Sequence, residues 1–90
     1  MNRLPLETGS VAISMAGRDQ GRRMAVLREM DEDFVLTVDG KTRTMDRPKK
    51  KRRKHLKPTG EVLEEMRNRI AMGQTVHDHE LRAWLKQEEG

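Results

Sequence analysis

The spacing of apolar residues changes once along this 90-residue chain, and the change limits the folds that the chain can adopt. From Gly9 to Met45, apolar and polar residues alternate with a period of two, which is typical of strands that bury one face. After Glu61 the apolar residues recur every three to four positions, the spacing of a helix with one buried stripe. We therefore predict a mainly β protein with a C-terminal α part.

Three segments of the first half carry strand patterns separated by polar turn residues: residues 10–14, 22–27 and 34–38. Asp39-Gly40 follows the third segment and predicts a tight hairpin, because a type I′ turn needs positive φ at both central positions. Lys41–Met45 would be the return strand. Short strands at this spacing predict a small barrel or a curled sheet.

The last third of the chain predicts two short helices. Val62, Met66 and Ile70 share one stripe of the first, over residues 61–72. Thr75 and Asp78 match the S/T-x-x-D/E arrangement that can cap the start of the second. The apolar stripe of this second helix consists of Leu81, Trp84 and Leu85.

A basic segment, RPKKKRRKHLKP at residues 47–58, joins these two parts. It holds eight Lys or Arg and no carboxylate, whereas residues 1–46 carry a net charge of −1 and residues 59–90 a net charge of −3. The whole positive excess of the chain therefore lies in one window, as is typical of segments that bind nucleic acid. Binding of this kind releases counterions from phosphates, so it should weaken steeply with salt.

Two other interpretations of the basic segment are a solvated charged loop and a nuclear import tag. Pro48 and Pro58 restrict the backbone at its ends, and Leu56 supplies an apolar anchor inside it. These residues favour a fixed contact surface over a detachable tag. With one Phe, one Trp and no Tyr in the chain, we do not expect base stacking on an aromatic platform.

The loop GRDQGRR, residues 17–23, is a second cluster of cations. Arg18, Arg22 and Arg23 lie at a predicted strand-to-strand turn, where guanidinium groups can hold phosphates through paired hydrogen bonds. Gly17 and Gly21 leave backbone amides open to an oxygen ligand. The loop is not a P-loop, since it lacks GxxxxGK[ST] and no helix pattern follows. An ordinary hairpin turn with surface arginines is the alternative.

Other chemistry has little support in the sequence. The chain has no Cys, which excludes disulfides, thiolate zinc sites and Cys nucleophiles. His77 and His79 stand two positions apart and point in different directions on a strand or a helix, so we predict no metal site there. Residues 31–33 (DED) read as a solvated turn. No apolar run approaches the ~20 residues of a membrane span, and the N-terminus lacks a secretory signal. We expect a cytoplasmic protein that is not an enzyme and has no cofactor.

The order of AGRDQGR, DEDFVLTVDGKTR and RPKKKRRKHLKP resembles the KOW-domain RNA-binding proteins. It is most similar to the small bacterial members related to the fourteenth large-subunit protein of archaeal and eukaryotic ribosomes. The resemblance covers residues 9–58 and continues more weakly into HDHELRAWL. It implies a five-stranded, SH3-like barrel that contacts folded ribosomal RNA. In this resemblance Gly17 and Gly21 match the loop glycines, Arg18 matches the basic position, and the PK…KHL segment is matched by Lys49, Lys50, Lys54, His55 and Leu56.

We accordingly predict a flexible N-terminus (residues 1–8), a small SH3-like (KOW) β-barrel (9–58) that includes the basic segment, and a helical C-terminal extension (59–90). In this arrangement the basic segment acts as a connector between the barrel and the two short helices. The predicted function is docking on structured RNA, ribosomal or ribosome-associated. The predicted RNA-binding residues are Gly17, Arg18, Gly21, Arg22, Arg23, Arg43, Arg47, Lys49, Lys50, Lys51, Arg52, Arg53, Lys54, His55 and Lys57.

The alternative function is a protein-interaction adaptor for a transcription or translation factor, since KOW-like barrels also occur in elongation factors. The acidic helical tail is a candidate contact for a protein partner, or a shield against indiscriminate RNA binding. We predict no membrane and no small-molecule partner.

Overall fold

A computed structural model of the protein describes residues 5–86. The strands are β1 (Ser10–Ser14), β2 (Arg23–Glu29), β3 (Phe34–Val38), β4 (Lys49–Arg52) and β5 (Leu56–Val62), and the helices are α1 (Glu64–Ala71) and α2 (Asp78–Leu85). A 3₁₀ turn, Arg53–His55, joins β4 to β5. The strands form one antiparallel sheet in the order β4-β3-β2-β1-β5.

The connection between β4 and β5 forces this sheet to curl. The two strands lie at opposite edges of the sheet, yet only the three residues of the 3₁₀ turn separate them in the chain. Backbone hydrogen bonds hold the turn against both sides: Arg53 N–H donates to the Asp33 carbonyl at 2.8 Å, and Met15 N–H donates to the His55 carbonyl at 2.8 Å. The predicted fold class, mainly β and barrel-like with two C-terminal helices, is confirmed.

Apolar side chains fill both faces of the sheet. On one face they meet the helices, with a core of Val11, Ala25, Val38, Leu63, Met66, Val76, Leu81 and Leu85. On the other face the core is smaller and consists of Leu6, Ala12, Val26, Val35 and Leu56. The apolar anchor predicted inside the basic segment is therefore real, since Leu56 is only 6% exposed.

Besides its apolar contacts, three hydrogen bonds hold α2 against the sheet and its loops. The Arg23 guanidinium donates to the Leu85 carbonyl at 2.9 Å, and the Arg82 guanidinium donates to the Gly40 carbonyl at 2.7 Å. At the other end of the helix, the Asp78 carboxylate accepts from Met45 N–H at 2.8 Å. The helices thus share a core with the sheet. The predicted boundary after residue 58 lies inside β5, which continues to Val62.

The segment after Asp39-Gly40 differs from the predicted hairpin, since residues 41–45 form a loop and the strand that returns beside β3 is β4. The buried Asp39 carboxylate accepts from the backbone N–H groups of Lys41 and Arg43 at 2.9 and 2.8 Å. This local bonding replaces the ladder of a two-residue turn. Gly40 has a φ of 80°, whereas Asp39 keeps a negative φ, so the turn is not type I′.

The starts of the two helices also differ from the sequence predictions. Val62 pairs with Ser10 as the end of β5, so α1 begins three residues after the predicted Glu61. At the start of α2 the Asp78 carboxylate accepts a hydrogen bond from Met45 N–H. The Glu80 carboxylate instead accepts from the backbone N–H of His77 at 3.3 Å. The Thr75–Asp78 cap is therefore wrong.

The N-terminal segment is held to the domain where the structure describes it. Leu6 is buried, and the Glu7 carboxylate pairs with Arg67 at 3.2 Å. Residues 6 and 7 are thus packed against the domain, whereas residues 1–8 were predicted to be flexible. Residues 1–4 of that prediction, and residues 87–90 of the helical extension, lie outside the described residues.

Replacing Gly40 with Ala should lower the free energy of unfolding by about 2–4 kcal/mol, by adding strain at positive φ to a steric clash. A Cβ atom at Gly40 would lie 2.6 Å from the Asp78 carbonyl oxygen and 2.9 Å from Arg82 Cγ. Gly21→Ala is the matched control, since Gly21 has a similar φ of 87° and no atom within 4 Å of its Cβ position. It should cost about 1–2 kcal/mol. Equal losses in urea unfolding would contradict the close contact between Gly40 and α2.

Candidate nucleic-acid interface

The basic segment is built into the sheet. Lys49–Arg52 pair with β3, where Lys51 lies opposite Val35 and Lys50 lies opposite Leu36. Alternate residues of a strand point to opposite faces, so the cations of β4 divide into two sets. Lys50 and Arg52 lie over the Phe34 ring, with Nζ and Cζ at 4.4 and 4.9 Å from its centroid. Strand pairing therefore separates side chains that are adjacent in sequence.

Lys51 points inward and forms a buried ion pair. It is 6% exposed, and its Nζ donates to Asp19 Oδ1 at 2.7 Å and to the Ala16 carbonyl at 2.8 Å. The Ser14 hydroxyl donates to the same carboxylate oxygen at 2.8 Å. Burial alone would raise the pKa of Asp19, but the hydrogen bonds from Lys51 and Ser14 outweigh it and lower the pKa. Lys51 thus links β4 to the loop after β1. It was predicted to bind RNA, but its ammonium group is buried in this ion pair.

Three predicted RNA-binding arginines also have partners within the chain. Arg53 pairs with Glu29 at 3.0 Å and donates to the Asp31 carbonyl at 2.9 Å. The partners of the other two are carboxylates as well: Arg22 pairs with Asp39 at 3.0 Å, and Arg23 pairs with Glu61 at 2.9 Å. These side chains are fixed in position, and their charge is partly neutralised.

Seven predicted cations remain exposed and have no ion pair among residues 5–86. We call them the basic surface: Arg18, Arg47, Lys49, Lys50, Arg52, Lys54 and Lys57. They come from the loop after β1, from β4 with the residues that flank it, and from β5. The strand ladders or the 3₁₀ turn fix the backbone of five of them, whereas Arg18 and Arg47 lie in loops. Those five cations can meet phosphates without prior ordering of their backbone.

The glycine loop lies beside the basic segment. Met15 N–H donates to the His55 carbonyl, and Lys51 Nζ donates to the Ala16 carbonyl. The start of the glycine loop therefore lies beside the 3₁₀ turn and β4. Gly17 and Gly21 are exposed in this loop and have positive φ, but the Gly21 N–H donates to the Ser14 carbonyl at 2.7 Å and is not open to a ligand as predicted. The two clusters that were predicted separately from sequence are therefore neighbours.

His55 and Arg43 were predicted to bind RNA, but both are only partly exposed. His55 is half-buried in the 3₁₀ turn. Arg43 is also half-buried, and its Nε is buried without a hydrogen-bond partner among the described residues. We place both at the margin of the candidate interface.

A second group of cations was missed in the sequence analysis, because these side chains come together only when α2 packs against β2 and the loop after β3. A cleft of about 460 Å³ lies between α2, the start of β2 and the loop after β3. Lys41, Arg82 and Lys86, none of them in the predicted set, line it together with Arg22 and Arg23. The only sequence signal was the pair of cations at the end of the predicted second helix, a position that such residues favour for electrostatic reasons alone.

The residues weighed as metal ligands serve other purposes. The rings of His77 and His79 stack with centroids 5.5 Å apart, so the prediction that they point in different directions is wrong, because His77 has an extended backbone at the N-cap of α2. The Asp78 carboxylate binds the Met45 amide. Within residues 5–86 there is no group of three or more metal-ligating side chains. In the same part of the chain, no helix has the length and apolar character needed to cross a membrane.

Comparison with known proteins adds independent information. No family model matches the chain. The large ribosomal subunit protein eL14 of Staphylothermus marinus is 31% identical to it over 59 residues, which cover 66% of this chain and 62% of that protein. The eL14 protein of Desulfurococcus amylolyticus is 33% identical over 58 residues, covering 64% and 60%.

The eL14 protein of Metallosphaera sedula is 25% identical over 83 residues, covering 92% of this chain and 79% of that protein. The chain spans about three fifths of the first two relatives. These matches confirm the resemblance to the fourteenth large-subunit protein.

Proposed function

We propose, on the premise that this chain is similar to the large ribosomal subunit protein eL14, that it is a non-catalytic protein that docks on structured ribosomal RNA. The basic surface is the contact area, and the glycine loop borders it. The protein acts on the ribosome, in translation, and in the cytoplasm.

The observation that carries this proposal is the separation of the cations into two classes. Lys51, Arg53, Arg22 and Arg23 are held by partners inside the chain. The seven cations of the basic surface have no ion pair among residues 5–86, and the sheet fixes the backbone of four of them, Lys49, Lys50, Arg52 and Lys57. A surface of this kind favours a polyanion, because like charges side by side are unfavourable until phosphates neutralise them.

The chemistry of the surface favours recognition of shape. Lysine and arginine contacts to phosphates position a protein on RNA but read no bases. A-form RNA is recognised largely through its backbone and 2′-hydroxyl groups. Phe34, the one Phe of the chain, is half-buried beneath Lys50 and Arg52, so its ring is not a free platform for a base.

The helices support the domain in this proposal. Their apolar stripes are buried against the sheet of the same chain, with Met66 and Leu81 fully inaccessible. A protein partner for the helices would therefore bind their polar outer surface. We keep this contact as a prediction secondary to RNA docking.

The salt dependence of RNA binding tests the proposal. A labelled fragment of structured ribosomal RNA should bind in dilute buffer, and the affinity should fall steeply between about 0.05 and 0.3 M NaCl. If about five cations of the basic surface meet phosphates, the slope of log K against log salt is roughly −3 to −5. Fluorescence anisotropy measures it. A slope near zero, or no binding in dilute buffer, would contradict RNA docking and favour a protein-interaction adaptor.

A further inference from the structure

The cleft beside α2 is strongly cationic, although the C-terminal third of the chain is acidic overall. Lys41 comes from the loop after β3, whereas Arg82 and Lys86 come from the last turn of α2 and the residue after it. With Arg22 and Arg23 they make five cations, against the carboxylates of Asp39 and Glu61. The cleft therefore keeps a net positive charge, which calls for an anionic ligand.

Backbone carbonyls hold two of these arginines in place. Arg82 bonds to the Gly40 carbonyl at 2.7 Å, and Arg23 bonds to the Leu85 carbonyl at 2.9 Å. A carbonyl fixes a guanidinium group without cancelling its charge, and a guanidinium has five donors to share. Arg82 thus keeps donors for a ligand, in a position that needs no rearrangement.

Lys41 and Lys86 are exposed and have no ion pair among the described residues. The negative end of the helix dipole accounts for a cation at Lys86. It does not account for Lys41, which belongs to another element and faces the same cleft. Cations that converge from two elements can hold a phosphate through charge-assisted hydrogen bonds.

A row of residues across the sheet connects the cleft to the basic surface. Lys57 lies opposite Ile13, and Ile13 lies opposite Arg23. Residues directly opposite in antiparallel strands point to the same face, and adjacent strands are ~4.8 Å apart. Lys57 and Arg23 are thus separated by about 10 Å on one face, with only half-buried Ile13 between them. A phosphate backbone in contact with Lys57 would therefore lie about 10 Å from Arg23 at the cleft.

We propose that this cleft is a second contact for the same RNA and holds a backbone phosphodiester between Lys41, Arg82 and Lys86. The inference rests on the proposed RNA docking and extends the interface to α2. The C-terminal helix then contributes to RNA binding and does not shield against it.

The test uses the full 90-residue chain with Lys41→Gln, Lys86→Gln and the double variant, titrated with the labelled RNA across salt concentrations. Because the cleft holds one phosphodiester and each lost phosphate contact reduces the slope by about 0.7–0.9, the double variant should show a slope shallower by about 0.7–0.9. Its affinity near 0.1 M salt should fall roughly tenfold. Arg67→Gln is the control, since it removes a cation of α1 that already pairs with Glu7 and Glu64. It should leave affinity and slope unchanged.

Two outcomes separate this inference from the proposed function. If the chain binds RNA with steep salt dependence and the double variant keeps the same affinity and slope, the cleft inference is wrong and RNA docking stands. If the unmodified chain does not bind RNA, both are wrong.

Inorganic phosphate distinguishes a free anion from an RNA phosphodiester. The amide NMR signals of residues 41 and 86 are followed as phosphate replaces chloride at constant ionic strength. Weak shifts, together with loss of RNA affinity in the double variant, support the phosphodiester. Saturable shifts with unchanged RNA affinity would assign the cleft to free phosphate and overturn the inference.

Discussion

Replacing Lys51 with Met should lower the free energy of unfolding by about 3–5 kcal/mol, although Lys51 is one of six consecutive cations. The change leaves Asp19 buried without the ammonium group that compensates its charge. Lys49→Met is the matched control, because it alters an exposed lysine of the same strand and should change stability by at most about 0.5 kcal/mol. Urea unfolding at pH 7 measures both.

The size of the effect follows from what remains around Asp19. Ser14 still donates one hydrogen bond to the carboxylate, but a single hydroxyl does not offset the cost of burying a charge. The link from β4 to the Ala16 carbonyl is lost as well. If the two variants unfold at the same urea concentration, Lys51 is not structural and the assignment of cations to two classes is wrong.

The pH dependence of unfolding provides a second readout. The pKa of Asp19 is lowered in the folded protein, so its ion pair stabilises the fold above the unfolded pKa of about 3.9 and is lost as pH falls further. Asp39 behaves in the same way: burial opposes the shift, but backbone amides and Arg22 lower its pKa. The stability gap between the wild-type chain and Lys51→Met should therefore shrink from pH 7 to pH 3. A gap that stays constant would contradict this origin.

Neutralising Lys49, Lys50, Lys54 and Lys57 together with Gln should reduce RNA affinity by about 10²–10³ at 0.1 M salt. All four are exposed, and each phosphate contact they lose also lowers the salt slope by about 0.7–0.9. Stability should change little, since none of the four pairs with a carboxylate among the described residues. Lys50 gives up a contact with Phe34, but Arg52 stays over the same ring.

The matching control replaces the same four lysines with Arg and so keeps the charge. It should bind RNA within a few-fold of the wild-type chain. Retention of full affinity by the Gln variant, with its melting temperature unchanged, would place the RNA contact elsewhere on the protein.

Local patterns in the sequence identified most of the elements. The alternation in residues 10–14 and 34–38 gives β1 and β3 with the predicted bounds. The repeat of Met66 and Ile70 gives α1, except that its first residues are taken by pairing of β5 with β1. Element type follows from periodicity, whereas exact ends depend on partners that are distant in sequence.

Several of the errors involve polar side chains whose partners the sequence does not reveal. Asp39 was assigned to a hairpin turn, but its carboxylate binds the amides of the next loop and Arg22. Lys51 was grouped with its neighbours, because nothing in KKKRRK distinguishes the residue that faces Asp19. The cleft beside α2 required the docking of a helix end against two loops. Burial of a single lysine and convergence of cations are properties of the folded chain.

The most direct measurement of the central claim is the RNA footprint on the isotopically labelled protein by NMR. The structure predicts the largest shifts at Arg18, Lys49, Lys50, Lys54 and Lys57, with smaller shifts at Lys41 and Lys86. The Nζ signal of Lys51 should persist unchanged, since the side chain is buried and already paired with Asp19 at 2.7 Å. Shifts confined to the outer surface of α1, or a Lys51 signal that moves with the other lysines, would contradict the account.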